Sequence, residues 1–308
     1  MGCFPCAATL RRAHAYRSSL PGHARTGQNS GASAAGETTV SAEVGRRAVG
    51  AAETRAANRS WWDAEAVAYH EEHGGFLGDA DFVWGPEGWT EAELDLLGLR
   101  DGMTVLEIGA GGAQCARWVA ARPDLPGVRV AASDLSAGML RTARAIGSSH
   151  TGRPLPLLQC DGTALPLADA TLDRVFTAYG VLPFVADSAA VLREAARVLR
   201  PGGRFVFSTS HPVRWAFPDV PGPEGLTATS SYFDRRPYVE SEAEVVTYVE
   251  HHRTLGDLVR QVTAAGLVLR DLVEPEWPER TTEAWGGWSP LRGRLLPGTA
   301  ILVTERPG

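Results

Sequence analysis

The sequence predicts an α/β domain: a parallel sheet with helices on both faces. Three observations predict it. From residue 103 onward, short β-type runs alternate with helix-type runs, the pattern of repeated strand–helix–strand units. Seven runs qualify as strands: TVLEIG, VRVAASD, LPLLQCD, LDRVFTAY, RFVFSTS, LVLRDLVE and TAILVTE. The first of them ends in a glycine-rich turn that opens directly into a helix. A chain of 308 residues, 44% of them hydrophobic, is long enough to bury one large core, or one core with a smaller lid.

Taken in order, residues 1–56 are rich in Ala, Arg, Ser and Gly, hold no acidic residue before Glu37 and show no sustained apolar period. They are expected to form a disordered extension, leaving 57–308 as the folded domain. Cys3 and Cys6 have the spacing of a zinc pair, but no second pair follows, so no metal is expected. The opening MGCFPC has Cys6 where a myristoylation signal wants Ser or Thr, and no apolar segment makes the extension a secretory signal. Residues 57–100, with WWDAEAVAYHEEHGGFLG and FVWGPEGW, read as an aromatic-rich helical entry packed over the site.

After the first strand, Ala113, Ala116, Val119 and Ala120 form one apolar helical face before Pro123 stops the run. Val191, Leu192, Ala195, Val198 and Leu199 make a second, ended by RPGG, where Pro201 cannot continue the helix and Gly202 and Gly203 supply a turn. Thr254 is placed to cap LGDLVRQVTAAGL, with Gly266 as its terminator. Residues 211–253 and 276–297 fit no element of this repeat. Loops of that length in a compact domain are expected to be lids or binding surfaces.

A net charge of −6 argues against a sequence-independent grip on nucleic acid, and no apolar run approaches the roughly 20 residues needed to cross a bilayer. The expected partner is a small molecule, without nucleic acid or membrane, and the expected location is cytoplasmic. The sequence is silent on oligomeric state.

In doubly wound sheets the ligand lies off the carboxyl ends of the strands, where the strand order reverses. VLEIGAGGAQCARW stands there. Gly109 and Gly111 permit positive φ and close approach to the backbone, and the following helix points its free N–H groups at the ligand. A dinucleotide fingerprint would need glycine where this chain has Gln114, and Glu107 would repel a pyrophosphate. A nucleotide-like cofactor with a cationic amine and no phosphate fits better, since Glu107 then stabilises its charge. S-adenosylmethionine has such an amine.

VLEIGAGGA, VAASDLSAGML, CDGTALPLADATLDRVFTAYGVLPFV and EAARVLRPGGRFVFSTSHP occur in that order, and through them the chain, over about residues 60–308, resembles the class I S-adenosylmethionine-dependent methyltransferases of small-molecule type. The resemblance implies a Rossmann-like, seven-stranded, mostly parallel sheet with an antiparallel last strand, S-adenosyl-L-methionine as cofactor, and methyl transfer to an unidentified small molecule. It further implies that Asp134 holds the ribose hydroxyls, that Leu135 and Met139 flank the adenine, that Asp161 accepts from the exocyclic amine beside Gly162, and that Ala178 and Tyr179 line the methyl-donor end. Local alternatives stay open: Asp134 as a helix cap, Asp161 as a turn residue, Leu135 and Met139 as core. So do another transferase using the same cofactor and a non-catalytic cofactor binder.

A general base is optional for such a displacement. His211, just past the fifth strand in STSHP, is the expected base or acceptor-orienting residue. His251 and His252 alternate on an extended segment, so one of them, taken as His252, can face the site. His70 and His73 read as a solvated helical face rather than a metal pair. Among Trp61, Trp62, Trp84 and Trp89, Trp84 is the one expected to reach the pocket.

Overall fold

The computed structural model describes residues 43–147 and 154–308. The sheet holds β2 (Thr104–Ile108), β3 (Arg129–Asp134), β4 (Leu157–Gln159), β5 (Leu172–Thr177), β6 (Leu199–Ser210), β9 (Val268–Val273) and β10 (Thr299–Glu305), in the order β4-β3-β2-β5-β6-β10-β9. The pairs among β4, β3, β2, β5 and β6 are parallel, and β10 runs antiparallel to both β6 and β9. All seven sequence runs are therefore strands of one sheet, with the last antiparallel. The order reverses between β2 and β5, which puts the cleft at their carboxyl ends.

The two faces explain why the runs are almost continuously apolar. Leu106 and Ile108 of β2, Val175 of β5, Phe205 and Phe207 of β6, and Ala300 and Leu302 of β10 join one core. Their neighbours Val105, Phe176, Val206, Ile301 and Val303 join the other. This is the period of two expected of a strand covered on both sides. The first core is closed by α5 (Ser188–Val198) and α6 (Leu255–Ala264), the second by α3 (Gln114–Ala120). Thr254 caps α6 as expected, in a capping box with Asp257, and Gly266 ends it at φ +79°. The RPGG turn is different: α5 stops at Val198 and the chain is already extended from Leu199, with the irregularity taken up as a register shift against β5.

A cap covers the carboxyl edge. It is formed by α1 (Ala51–Leu77) and a second, antiparallel sheet of β1 (Glu43–Arg46), β7 (Tyr238–Glu242) and β8 (Val245–Glu250), in the order β1-β7-β8. Ala57 of α1 packs with Val239, Val246 and Val249, and Trp61 lies 5.1 Å from Tyr248, centroid to centroid. The boundary expected at residue 57 thus falls inside α1, and residues 43–56 are built into the cap; residues 1–42, with Cys3 and Cys6, lie outside the described residues. The stretch 211–253, expected to fit no element, contains the β7–β8 hairpin. Two short helices, α2 (Glu91–Leu94) and α7 (Pro290–Gly293), lie in the connections, and α4 (Ala137–Gly147) follows β3. Among the described residues no helix is long and apolar enough to cross a membrane.

Candidate functional site

One large cleft opens at the carboxyl ends of β2, β3, β4 and β5, with Ser210 at the end of β6 also on its wall. Glu107, Gly109, Gly111, Asp134, Leu135, Met139, Asp161, Gly162, Ala178 and Tyr179 all line it. They come from four strand ends and the turns that follow.

At the end of β3, Asp134 accepts the Gly111 N–H through Oδ2 and the Ser136 N–H through Oδ1, both at 2.8 Å. Its carboxylate is fixed in place while retaining acceptor capacity toward the cleft. Burial raises its pKa, and the two N–H bonds oppose that rise. Glu107, 2% exposed, accepts the Ala116 N–H at 2.9 Å through Oε2. Burial pushes its pKa up to about 8, against the Ala116 bond and the Arg117 guanidinium. A carboxylate held that high lacks a sufficient cation, and a positive ligand in the cleft would supply one.

The turn between them is shaped by two glycines with different duties. Gly111 sits at φ +52°, and a Cβ there would meet nothing within 4 Å. Its requirement is conformational, and its bare face is open. Gly109, at φ +67°, would place a Cβ 2.2 Å from Val181 Cγ2. Its bareness admits Val181, which itself adopts φ 53°, ψ −63°, a conformation costly for a β-branched residue. Tyr179 is also at φ 60°. Its N–H donates to Ser208 Oγ at 2.7 Å and its hydroxyl oxygen accepts from Ser210 Oγ at 2.9 Å.

Asp161 makes the turn considered as its alternative role: Oδ1 accepts from Thr163 N and Oγ1, while Oδ2 faces Arg55 Nη1 at 3.5 Å. Gly162 is constrained by packing, since a Cβ would lie 3.0 Å from Ile108 Cγ2. Met139 is 3% exposed beneath the same cleft, and its N–H donates to Ser136 Oγ, which caps α4.

Three expected site residues are not among those lining the cleft. Trp84 is fully buried in the second core, packed on Phe82, with Nε1 donating to Glu91 Oε2 at 3.0 Å. A hydrogen-bond partner inside the domain satisfies its indole there. Its carbonyl still serves the site indirectly, accepting from the Ser208 Oγ that receives the Tyr179 N–H. His211 accepts the Val213 N–H on Nδ1 at 3.1 Å and meets Glu274 Oε1 with Nε2 at 2.8 Å. Burial lowers its pKa against the pull of Glu274, and with both ring nitrogens engaged it has no nitrogen to offer a substrate. His252 donates from Nε2 to the Tyr232 carbonyl at 2.6 Å, and burial brings its pKa to about 4. His70 and His73 also part ways: His70 faces Asp79 at 3.7 Å, whereas His73 is buried beside Tyr69, at 4.3 Å between ring centroids.

The cap supplies residues that the sequence reading passed over. Asn58, Trp62 and Tyr69 line the cleft from α1. Their spacing of four and eleven residues from Asn58 puts them on one helical face, a signal available in the sequence. Asn58 donates to the Phe184 and Val249 carbonyls at 2.8 and 3.0 Å and accepts the Val249 N–H at 2.9 Å, tying α1 to β8 and to the loop after β5. Asp63 accepts the Gly138 N–H at 2.8 Å and Ser136 Oγ at 2.7 Å. Gly138 admits this contact: a Cβ would lie 2.6 Å from the Asp63 carbonyl oxygen. Both long connections reach the cleft, the first through Arg214, Asp219 and Glu250, the second through Gly287 and Trp288.

Comparison with known proteins agrees with this geometry. Residues 106–207 match the family described as "Methyltransferase domain". A demethylmenaquinone methyltransferase of Mycolicibacterium paratuberculosis is 39% identical over 124 residues, 39% of this chain and 49% of that protein. A protein of the same name from Mycobacterium bovis is 29% identical over 229 residues, 71% of this chain and 82% of the other. The first of these matches thus spans about half the length of the curated relative. An S-adenosylmethionine-dependent methyltransferase from Mesorhizobium loti superposes with a TM-score of 0.54 at 26% identity, over 72% of this chain and 100% of that one.

Proposed function

We propose that the chain, which matches a methyltransferase-domain family over residues 106–207, acts as a class I S-adenosylmethionine-dependent methyltransferase and transfers the methyl group of S-adenosylmethionine to a small-molecule acceptor bound in the same cleft. The observation that carries this reading is the pair of carboxylates, buried Glu107 and partly buried Asp134, brought to one cleft by adjacent strand ends. A phosphate finds no counter-charge in this pair. A nucleoside with a cationic amine is suited to both.

The cleft residues fit that group. Asp134, its oxygens already oriented by Gly111 and Ser136, accepts the ribose hydroxyls. Glu107 holds the ammonium, Leu135 and Met139 give the adenine apolar faces, and Asp161 beside Gly162 accepts from its exocyclic amine. Ala178 and Tyr179 border the reacting end. When bound, the cofactor supplies an electrophilic methyl on a sulfonium. The chain's own work is then to hold acceptor and methyl in line and exclude water, an orientation effect worth up to roughly 7 to 11 kcal/mol in favourable models. No histidine is required as a base in this scheme.

The test is incubation of the protein with methyl-labelled S-adenosylmethionine and a metabolite extract, followed by chromatography. A labelled acceptor with stoichiometric S-adenosylhomocysteine is expected. Formation of methylthioadenosine instead would point to another transferase, and cofactor binding without turnover in any extract would point to a non-catalytic binder.

A further inference from the structure

On the β5–β6 side the cleft changes character. Its walls become aromatic rings from separate segments: Trp62 and Tyr69 of α1, Phe184 and Trp288. Trp62 stands edge-on to both Tyr69 and Phe184, with centroids 5.4 and 5.6 Å apart. Rings that fix one another in this way present flat apolar surface at little conformational cost.

The floor between these walls is polar, and its charges balance. Arg214 Nη2 meets Glu250 Oε2 at 2.6 Å, with side chains only 9% and 6% exposed. Arg214 Nη1 also faces Asp219 Oδ1 at 3.6 Å, and Arg292 Nη1 approaches the same oxygen at 3.9 Å. Two guanidiniums thus stand against two carboxylates. Glu250 is held from its other side by the Tyr248 hydroxyl, which donates to Oε1 at 2.6 Å, and Arg214 stacks on Trp215 at 4.4 Å. A buried ion pair contributes little to stability once desolvation is counted. Its presence beneath a cleft is better understood as recognition.

We propose that this side of the cleft is the acceptor subsite and that it takes an uncharged aromatic molecule bearing a hydroxyl group. The proposal rests on the methyl-transfer reading for the word acceptor, while the chemistry of the subsite stands on its own residues. A net charge on the ligand would have to compete with the partners already in these ion pairs, in a partly dehydrated floor. A hydroxyl both donates and accepts, so it joins a carboxylate–guanidinium pair without displacing either partner; an ammonium only donates and a carboxylate only accepts. The aromatic body is set by the rings on the walls.

Three probes of one shape separate the possibilities: 4-phenylphenol, biphenyl-4-carboxylate and biphenyl-4-ylmethylammonium. Their affinities are measured by calorimetry on the full chain near pH 7, with and without S-adenosylhomocysteine. The phenol is expected to bind at least about tenfold more tightly than either ion, a difference of ~1.4 kcal/mol. Glu250→Gln gives the floor a net positive charge and should move the preference toward the carboxylate. Arg214→Gln gives it a net negative charge and should move the preference toward the ammonium. Unchanged S-adenosylhomocysteine affinity in these variants shows that the fold survives; if either variant loses it, the ranking in the native protein decides. A carboxylate or ammonium probe that binds the native chain as well as the phenol overturns the proposal, as does a phenol that fails to bind at all. Failure of S-adenosylhomocysteine to bind, with the phenol preference intact, would instead count against methyl transfer alone.

Discussion

The Gly111 backbone N–H donates to Asp134 Oδ2 at 2.8 Å, so the carboxylate at the end of β3 holds the glycine turn that follows β2. Two sequence motifs 23 residues apart are one structural unit. Replacing Asp134 with Ala removes this bond, the Ser136 bond and the proposed acceptor for the ribose. We expect S-adenosylhomocysteine affinity to fall by about 1 to 3 kcal/mol, read by fluorescence titration, while the fold persists. Asp134→Asn should fall less. Unaltered affinity in a folded Asp134→Ala protein would take the residue out of the site.

The close approach of Val181 to Gly109 makes a second expectation. Gly109→Ala puts a methyl where Val181 Cγ2 now lies, 2.2 Å away, and at a positive φ. Overpacking of this kind costs about 1 to 3 kcal/mol, visible as a lower denaturation midpoint. Adding Val181→Ala to the same chain should restore part of the loss, the remainder being backbone strain. A double variant no more stable than Gly109→Ala would show that the contact does not limit stability.

Ligand-free stability should depend on pH in a way fixed by buried groups of opposite kind. Burial pushes Glu87 and Glu91 up to about 7 and Glu107 to about 8, from an ordinary 4.5. Burial also lowers His73, His251 and His252 to about 4, from 6.5. Between pH 4.5 and 6.5 the native state holds carboxyl protons that the unfolded chain has lost, while the unfolded chain holds imidazole protons that the native state refuses; the two trends oppose. Above 6.5 only the carboxyls remain, the native state binds more protons, and stability falls as pH rises toward 8. The limit is about 1.4 kcal/mol per pH unit for each carboxyl. Denaturant titrations at several pH values should show this descent, and Glu107→Gln should remove its upper part. A flat profile in the native protein would contradict these protonation states.

Much of this architecture was legible in the sequence, for a physical reason. Each sheet strand is covered on both faces, so Val175 and Phe176, or Val206 and Phe207, appear as unbroken apolar runs. The β7–β8 hairpin lacked its usual signal because its turn uses Ala243 and Glu244, both at positive φ (47° and 68°), where Asn-Gly is the common choice. The residues proposed for the cofactor were legible as a group because they sit at strand ends. The proposed acceptor side was not, since it is assembled from α1, the segment after β6 and β8 by tertiary contacts such as those of Asn58. Trp84 and Trp62 looked alike in sequence. Glu91, which accepts from the Trp84 indole within the core, is what separates them.

His211 supplies a negative expectation. Because Nδ1 accepts from Val213 and Nε2 is held by Glu274, His211→Ala should lower stability by about 1 to 2 kcal/mol through lost hydrogen bonds and leave the pH dependence of turnover unchanged. Loss of an ionisation from the kcat profile in that variant would return His211 to the chemistry.

The most direct measurement is calorimetric titration of S-adenosylhomocysteine at pH 7 in two buffers of different ionisation enthalpy. With Glu107 at about 8 in the free protein and ionised beside a bound ammonium, binding should occur at one site per chain and release a net amount approaching one proton. Glu107→Gln should abolish most of that release. No binding, or binding that moves no proton in the native protein, would contradict a cationic nucleoside held by Glu107 and Asp134.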